Sequence, residues 1–190
     1  MRRHPGCFAG PPLIRGDVRI TLTAHSRIGA ELNADGRLET VLISARQGGR
    51  LILGERVYLN RGSSVEALHE VRIGDDVLFG PNATVLDDDF HPLEPARPTH
   101  RGPTVLEDNI WLGRNVLVTP GVRIGRGTAV GANSVVTRDL PPGVFAAGSP
   151  ARPLRELNIP AHGWDRHWRA PTTPSRNTRE AQTSQAPPPT

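Results

Sequence analysis

Of the seven histidines in the chain, His91 stands where the neighbouring residue types could do chemistry. It follows the aspartates Asp87, Asp88 and Asp89, with Phe90 between, and precedes Pro92. A neutral imidazole, with an ordinary pKa of about 6.5, can take a proton from a hydroxyl or an amine at neutral pH. A carboxylate on its other nitrogen would fix the tautomer and stabilise the imidazolium that forms. Asp87 and Asp89 are the candidates for that carboxylate, in a loop that could turn either one inward. The plain alternative is a solvated acidic loop holding an incidental histidine, and the local sequence does not separate the two.

Zinc is a rival use for the same side chains, since three histidines on neighbouring strands can meet in space. His69, His91 and His100 are 22 and 9 residues apart, without a short paired spacing, and Cys7 is the lone cysteine. No metal site is expected. A second signal lies toward the C-terminus, where Arg138, Arg152 and Arg155 carry forked donors suited to phosphates. Trp111 interrupts a run of small residues at an outward position. Its ring would line a groove for an adenine or an apolar chain, or cover a subunit contact.

These residues are held by a repeating frame. From Leu106 to Val136 an aliphatic residue returns at every sixth position: Leu106, Leu112, Val118, Ile124, Val130, Val136. The fourth place of each hexad is small or β-branched (Ile110, Val116, Val122, Thr128, Ser134), and glycine follows the anchor at Gly113, Gly125 and Gly131. A period of six fits neither a helix nor a hairpin, but it fits a short strand plus a corner, repeated three times per turn of a parallel β-helix. Anchors one coil apart then stack about 4.8 Å from one another. Gly125, Gly127, Gly131, Asn115 and Asn133 are expected at corners, where bulkier residues resist the backbone angles.

The beat is blurred over residues 13–52, where irregular first coils should cap the solenoid. It sharpens at Leu53, Leu59 and Val65, slips near His69, and resumes at Ile73, Phe79 and Val85. It then stops until Leu106, across a stretch holding Pro92, Pro95, Pro98 and Pro103. A long excursion from a regular coil, at about 86–105, is uncommon unless it has a job. Pro141 and Pro142 end the solenoid, and a short closing segment is expected near Pro150–Leu157. Residues 1–12 read as a flexible arm, 13–157 as the β-helix domain, and 158–190, rich in proline, threonine and serine, as a largely disordered tail.

Composition is consistent with an all-β solenoid. The 190 residues are 36% hydrophobic but only 4% aromatic, which suits a core too thin for many rings. All 23 basic residues are arginine, and much of the excess lies at the two ends. Neither aromatic-basic interleaving nor a recognition helix accompanies it, so nucleic acid is not an expected partner. The single cysteine fits a reducing compartment, and the proline-broken N-terminus reads as neither a signal peptide nor a membrane span. A cytoplasmic protein is expected.

Together, the hexads, the stretch LDDDFHPL and the segment EDNIWLGRNVLVTPGVRIGRGTAVGANSVVTRDLPPGVFAAGSPARPLREL resemble the hexapeptide-repeat O-acetyltransferases. The subgroup that acetylates maltose, galactosides and nodulation factors, with relatives from surface-polysaccharide clusters, is the most similar, over roughly residues 53–157. The resemblance implies a left-handed parallel β-helix assembled as a homotrimer, with active sites between subunits. Acetyl-CoA would enter from one end and a sugar hydroxyl from the other. His91 would be the general base, with Asp87 or Asp89 behind it, and Asn60 would contact the acceptor or the oxyanion. Trp111, Ala132, Thr137, Arg138, Arg152 and Arg155 would bind the cofactor.

Two departures bear on the acceptor. The acidic DDDFH differs from the TxGH form of the sugar enzymes, and the first fifty residues do not match the helical segment that shapes the acceptor site in maltose-type relatives. The expected function is transfer of an acetyl group from acetyl-CoA to a hydroxyl of a sugar or polysaccharide precursor. The alternatives are a metal-dependent β-helix hydratase of the γ carbonic anhydrase type and a non-catalytic trimeric scaffold.

Overall fold

In the computed structural model, which describes residues 6–160 and 164–167, each anchor of the sixfold pattern points into one narrow core. Short parallel strands stack into three faces of a prism. The first face holds Arg27–Ile28, Arg50–Leu53, Glu70–Ile73, Thr104–Leu106 and Arg123–Ile124. The second begins with residues 33–34 and continues through Tyr58–Leu59, Leu78–Phe79, Trp111–Leu112, Ala129–Val130 and Val144–Gly148. The third begins with residues 42–45 and continues through Ser64–Ala67, Thr84–Leu86, Leu117–Val118 and Val135–Val136. The long strand Asn33–Ala45 rounds the corner between the last two faces and joins them into one continuous sheet.

Registry carries the anchors directly over one another. On the second face Leu59 pairs with Phe79, Phe79 with Leu112, Leu112 with Val130 and Val130 with Ala146. All of them are buried. Ile110, Val116, Val122, Thr128 and Ser134 at the fourth place are buried as well. Their two hydroxyls are satisfied: Thr128 Oγ1 donates to Pro141 O at 2.7 Å, and Ser134 Oγ to Gly131 O at 2.7 Å.

The corner residues divide between two roles, where a single one, unusual backbone angles, is expected from the sequence. The third residue past an anchor takes the left-handed backbone, as at Asn109, Asn115, Gly127 and Asn133. Asparagine and glycine tolerate that region best. The glycine directly after the anchor is there for space instead. A Cβ at Gly80 would lie 2.7 Å from the carbonyl carbon of Gly113, and one at Gly113 would lie 2.8 Å from Ala132 N. Gly125 and Gly131 belong to this second group, not to the left-handed corners.

The ends also differ from expectation. Residues 6–12 are not a loose arm: Cys7 is buried and Phe8 bridges Ile28, so they continue the first face downward. Leu13–Thr21 pairs along Asn33–Ala45 and extends the other two faces. The irregular cap expected at the start is thus a further partial coil. At the other end Val144–Gly148 and Ala151–Glu156 form an antiparallel closing pair. Trp164–His167, expected within a disordered tail, packs on the coils. Arg166 Nη2 donates to Gly127 O at 2.6 Å and Asn109 Nδ2 to Trp164 O at 3.1 Å. The disorder expected for about 170–190 concerns residues outside those described. Among the described residues no helix is long and apolar enough to cross a membrane.

Candidate functional site

The excursion leaves the third face after Leu86 and rejoins the first face at Thr104. Its neck is a short antiparallel ladder, with Asp88 bridging Arg101, Asp89 N donating to His100 O at 3.0 Å and Gly102 N to Asp87 O at 3.1 Å. Buried Thr104 fastens the base by donating Oγ1 to Leu86 O at 2.9 Å and accepting Gly121 N at 3.1 Å. The tip is exposed, Leu93 at 90% and Phe90 at 43%.

His91 sits at the start of this tip, exposed, and its N–H donates to Asp89 O at 2.8 Å. The two aspartates expected to orient its ring each have another neighbour. Buried Asp87 accepts the backbone N–H groups of Leu68 and His69 at 2.9 and 2.8 Å, tying the loop to the coil below. Asp89 lies 3.8 Å from Nδ1 of His100. The third aspartate, Asp88, is not among those expected from the sequence. It is buried, takes His69 Nε2 at 2.9 Å on one oxygen and Phe90 N at 2.6 Å on the other. Burial pushes its carboxyl pKa up, but the His69 and Phe90 hydrogen bonds and the charges of His69 and Arg101 outweigh it and hold the group below its ordinary value.

Phe90 has φ of +65°, a left-handed conformation that an aromatic residue adopts at a cost of about 1–3 kcal/mol. The Asp88 bond to its N–H holds that turn, and the turn sets where His91 begins. Among the described residues no three metal-ligating side chains converge, and His69 and His100 each stand beside an aspartate of the loop.

The remaining expected residues fall on two sides of the prism. Thr137 and Arg138 follow Val136 on the edge between the third and first faces, the same edge as the excursion, and both are exposed. Trp111, by contrast, points outward from the second face and is 47% exposed. It starts a registered outer column: Trp111 pairs with Ala129, Ala129 with Phe145 and Phe145 with Arg155. The column ends with the Arg155 guanidinium 5.7 Å from the centre of the Phe145 ring. Exposed Arg152, on the same closing strand as Arg155, pairs across with Ala147 and donates to Ala151 O at 2.8 Å. Ala132 and Asn60 lie on the neighbouring edge, between the second and third faces. Asn60 uses its Oδ1 to accept Arg61 N at 2.9 Å and lines a small hollow of about 340 Å3 with Asp35 and Arg37.

In a three-sided prism the edge carrying His91 is opposite the second face. One chain therefore brings His91, Asp87 and Asp89 together with Thr137 and Arg138. It sets Asn60, Trp111, Ala132, Arg152 and Arg155 on the other side.

Coils, corner glycines and a loop carrying a histidine define a hexapeptide-repeat protein, and comparison with known proteins agrees. A family model described as bacterial transferase hexapeptide (six repeats) matches residues 103–138, and one described as hexapeptide repeat of succinyl-transferase matches 70–85. Galactoside O-acetyltransferase of Escherichia coli (strain K12) is 37% identical over 114 residues, covering 58% of this chain and 56% of the relative. The chain thus spans little more than half the length of that enzyme. A second protein of the same strain, named provisionally for O-acetyl transfer in lipopolysaccharide biosynthesis, is 29% identical over 170 residues, 82% of this chain and 81% of its own. A hexapeptide-repeat acetyltransferase of Vibrio cholerae, solved with acetyl coenzyme A, superposes with a TM-score of 0.53 at 29% identity, over 80% of this chain and 73% of its own. In its repeats the chain is thus similar to hexapeptide-repeat acetyltransferases.

Proposed function

We propose that the chain is an acetyl-CoA-dependent O-acetyltransferase that acetylates a hydroxyl of a sugar or polysaccharide precursor. His91 is its general base, and copies of the chain assemble as a homotrimer. One observation carries the reading: His91 and the outer column from Trp111 to Arg155 occupy opposite sides of the same prism. A second copy whose second face meets the excursion completes the site, and cyclic threefold closure repeats that contact without leaving an open face. The exposed apolar tip, Phe90 and Leu93, gives the excursion something to bury there.

In that site the column binds the cofactor arm, with Trp111 along the pantetheine and Arg152 and Arg155 at the phosphates. Ala132 supplies backbone hydrogen bonds, Thr137 and Arg138 serve the adenosine end of the neighbouring site, and Asn60 contacts the acceptor. The chemistry is a direct transfer. His91 accepts the proton of the acceptor hydroxyl as that oxygen bonds to the thioester carbonyl carbon. The carbon–sulfur bond then breaks, the acetyl ester is left on the acceptor, and the CoA sulfur departs with the proton from the imidazolium. Holding both substrates in one cleft makes proximity a large part of the rate. A donor of this kind fits the cytoplasmic setting expected from the sequence.

The test is release of CoA thiol from acetyl-CoA in the presence of a panel of sugars and oligosaccharides. Acceptor-dependent release that falls about 10²–10⁴-fold in His91→Ala, with cofactor binding intact, is expected. Absence of acetyl-CoA binding to the purified wild-type protein would overturn the reading.

A further inference from the structure

Below Trp111 the outer column of the second face continues away from Arg155, through Leu78 and Tyr58 to Asn33. Here it opens into a groove of about 1000 Å3. One wall is the coil itself, with Trp111 and Tyr58; the other is the C-terminal segment, with Trp164, Arg166 and His167.

The docked segment is not needed to close the coils, because Val144–Gly148 and Ala151–Glu156 already do so. It nevertheless brings a tryptophan that stays 42% exposed and a partly buried guanidinium 5.0 Å from the centre of that ring. Arg166 donates to the carbonyls of Gly127 and Asn109 at 2.6 and 3.4 Å, so its direction is fixed by backbone. Burial pulls its pKa down, the sign of a cation that would gain from an anion nearby. At the floor Arg15 donates to Asn33 Oδ1 at 3.1 Å, while the carboxylate in the groove, Asp35, is held by the fork of Arg37 at 2.6 and 2.9 Å. The groove thus presents three ring faces with Arg15 and Arg166, its one carboxylate already engaged.

Ring faces stack against the C–H faces of pyranoses, and paired arginines select an anion. We propose that the C-terminal segment Trp164–His167 builds the acceptor subsite of this chain, and that the groove takes a saccharide bearing an anionic group, a phosphate or a carboxylate. This rests on the transferase reading for its consequence but not for its binding. The cofactor arm would run from Trp111 toward Arg155 and the acceptor from Trp111 toward Asn33, so their reacting atoms meet beside the Trp111 ring.

The experiment is ligand-observed saturation-transfer NMR and titration on the full chain, without cofactor. The probes are glucose 1-phosphate, glucuronic acid and glucose, with acetyl-CoA titrated separately. Glucose 1-phosphate or glucuronic acid should bind at least about tenfold more tightly than glucose, which is one decade in dissociation constant. Trp164→Ala and Arg166→Gln should each abolish that advantage while leaving thermal stability and acetyl-CoA affinity within about twofold. Equal binding of all three sugars, or variants that keep the preference, would overturn the proposal. So would a loss of acetyl-CoA affinity in the same variants, which would make the groove part of the cofactor path. An anionic-sugar preference in a protein that binds no acetyl-CoA would sustain the subsite and refute the transferase.

Discussion

The imidazole of His69 stands 2.9 Å from the carboxylate of Asp88, and the other oxygen of that carboxylate takes the N–H of Phe90 at 2.6 Å. Two segments far apart in sequence, the corner at His69 and the neck of the excursion, are thereby locked to the residue that precedes His91. The proposed base needs no carboxylate on its own ring for its backbone to be placed. The placement comes through the turn at Phe90.

Asp88→Asn keeps the size of the side chain and weakens its bonds to His69 and Phe90. Because misplacing a reacting group by about 1 Å costs on the order of 10²-fold, kcat should fall roughly 10–100-fold. The KM for acetyl-CoA should stay put. Steady-state kinetics separate the two, and an unchanged kcat would mean that the turn is set elsewhere.

Acid should loosen the neck before the coils. In the folded chain the hydrogen bonds from His69 and Phe90 hold the Asp88 pKa below the ordinary carboxylate value. Its contribution is therefore fully present above the unfolded value and is lost as pH falls through the lower folded one. Amide hydrogen exchange at Phe90, Asp89 and Gly102 should rise below about pH 4 while amides of the coil core, such as Leu112, stay protected. Coincident loss of protection at both places would contradict this.

A second carboxylate gives a narrower window. Asp35, hydrogen-bonded to Arg37, has its pKa lowered to about 2 from 3.8. By the same sign its help to the first coils is complete above about pH 4 and disappears toward pH 2. Asp35→Asn should flatten the pH dependence of melting in that interval. An unaltered slope would assign the acid sensitivity to other groups.

Phe79 is buried at 1% exposure between Leu59 and Leu112 in the second-face column. Phe79→Ala should cost about 3–5 kcal/mol in denaturant unfolding, the usual range for emptying such a site. Gly80→Ala should also destabilise, since its Cβ would meet Gly113 backbone at 2.7 Å with no side chain to move aside. A Gly80→Ala protein as stable as wild type would remove the steric account of the glycines after the anchors.

How far the chain could be read from its sequence follows from these particulars. The anchors from Leu53 to Val136 were legible because each coil must return an aliphatic residue to the same column. The first coils were blurred because Leu13–Thr21 and Asn33–Ala45 run as long strands, which breaks the sixfold count. The excursion and His91 stood out as an interruption. Which of three consecutive aspartates would hold the turn before His91 could not be read locally, because Asp88 is chosen by its bridge to Arg101 and by the distant His69. Trp164 and Arg166 lay in a stretch whose composition argued for disorder. Their partners, Asn109 and Gly127, are backbone and amide groups at corners, and nothing in the local sequence points to them.

The most direct test of the central claim, that one active site is made from two copies, is subunit mixing. His91→Ala and Trp111→Ala each disable a different side of the prism, and each protein alone should be nearly inactive with acetyl-CoA and an accepted sugar. Co-refolded in equal amounts, they should regain activity, because about one quarter of randomly formed sites pair an intact His91 with an intact Trp111 from the neighbour. Activity of the mixture no greater than the sum of the two separate proteins would contradict the account.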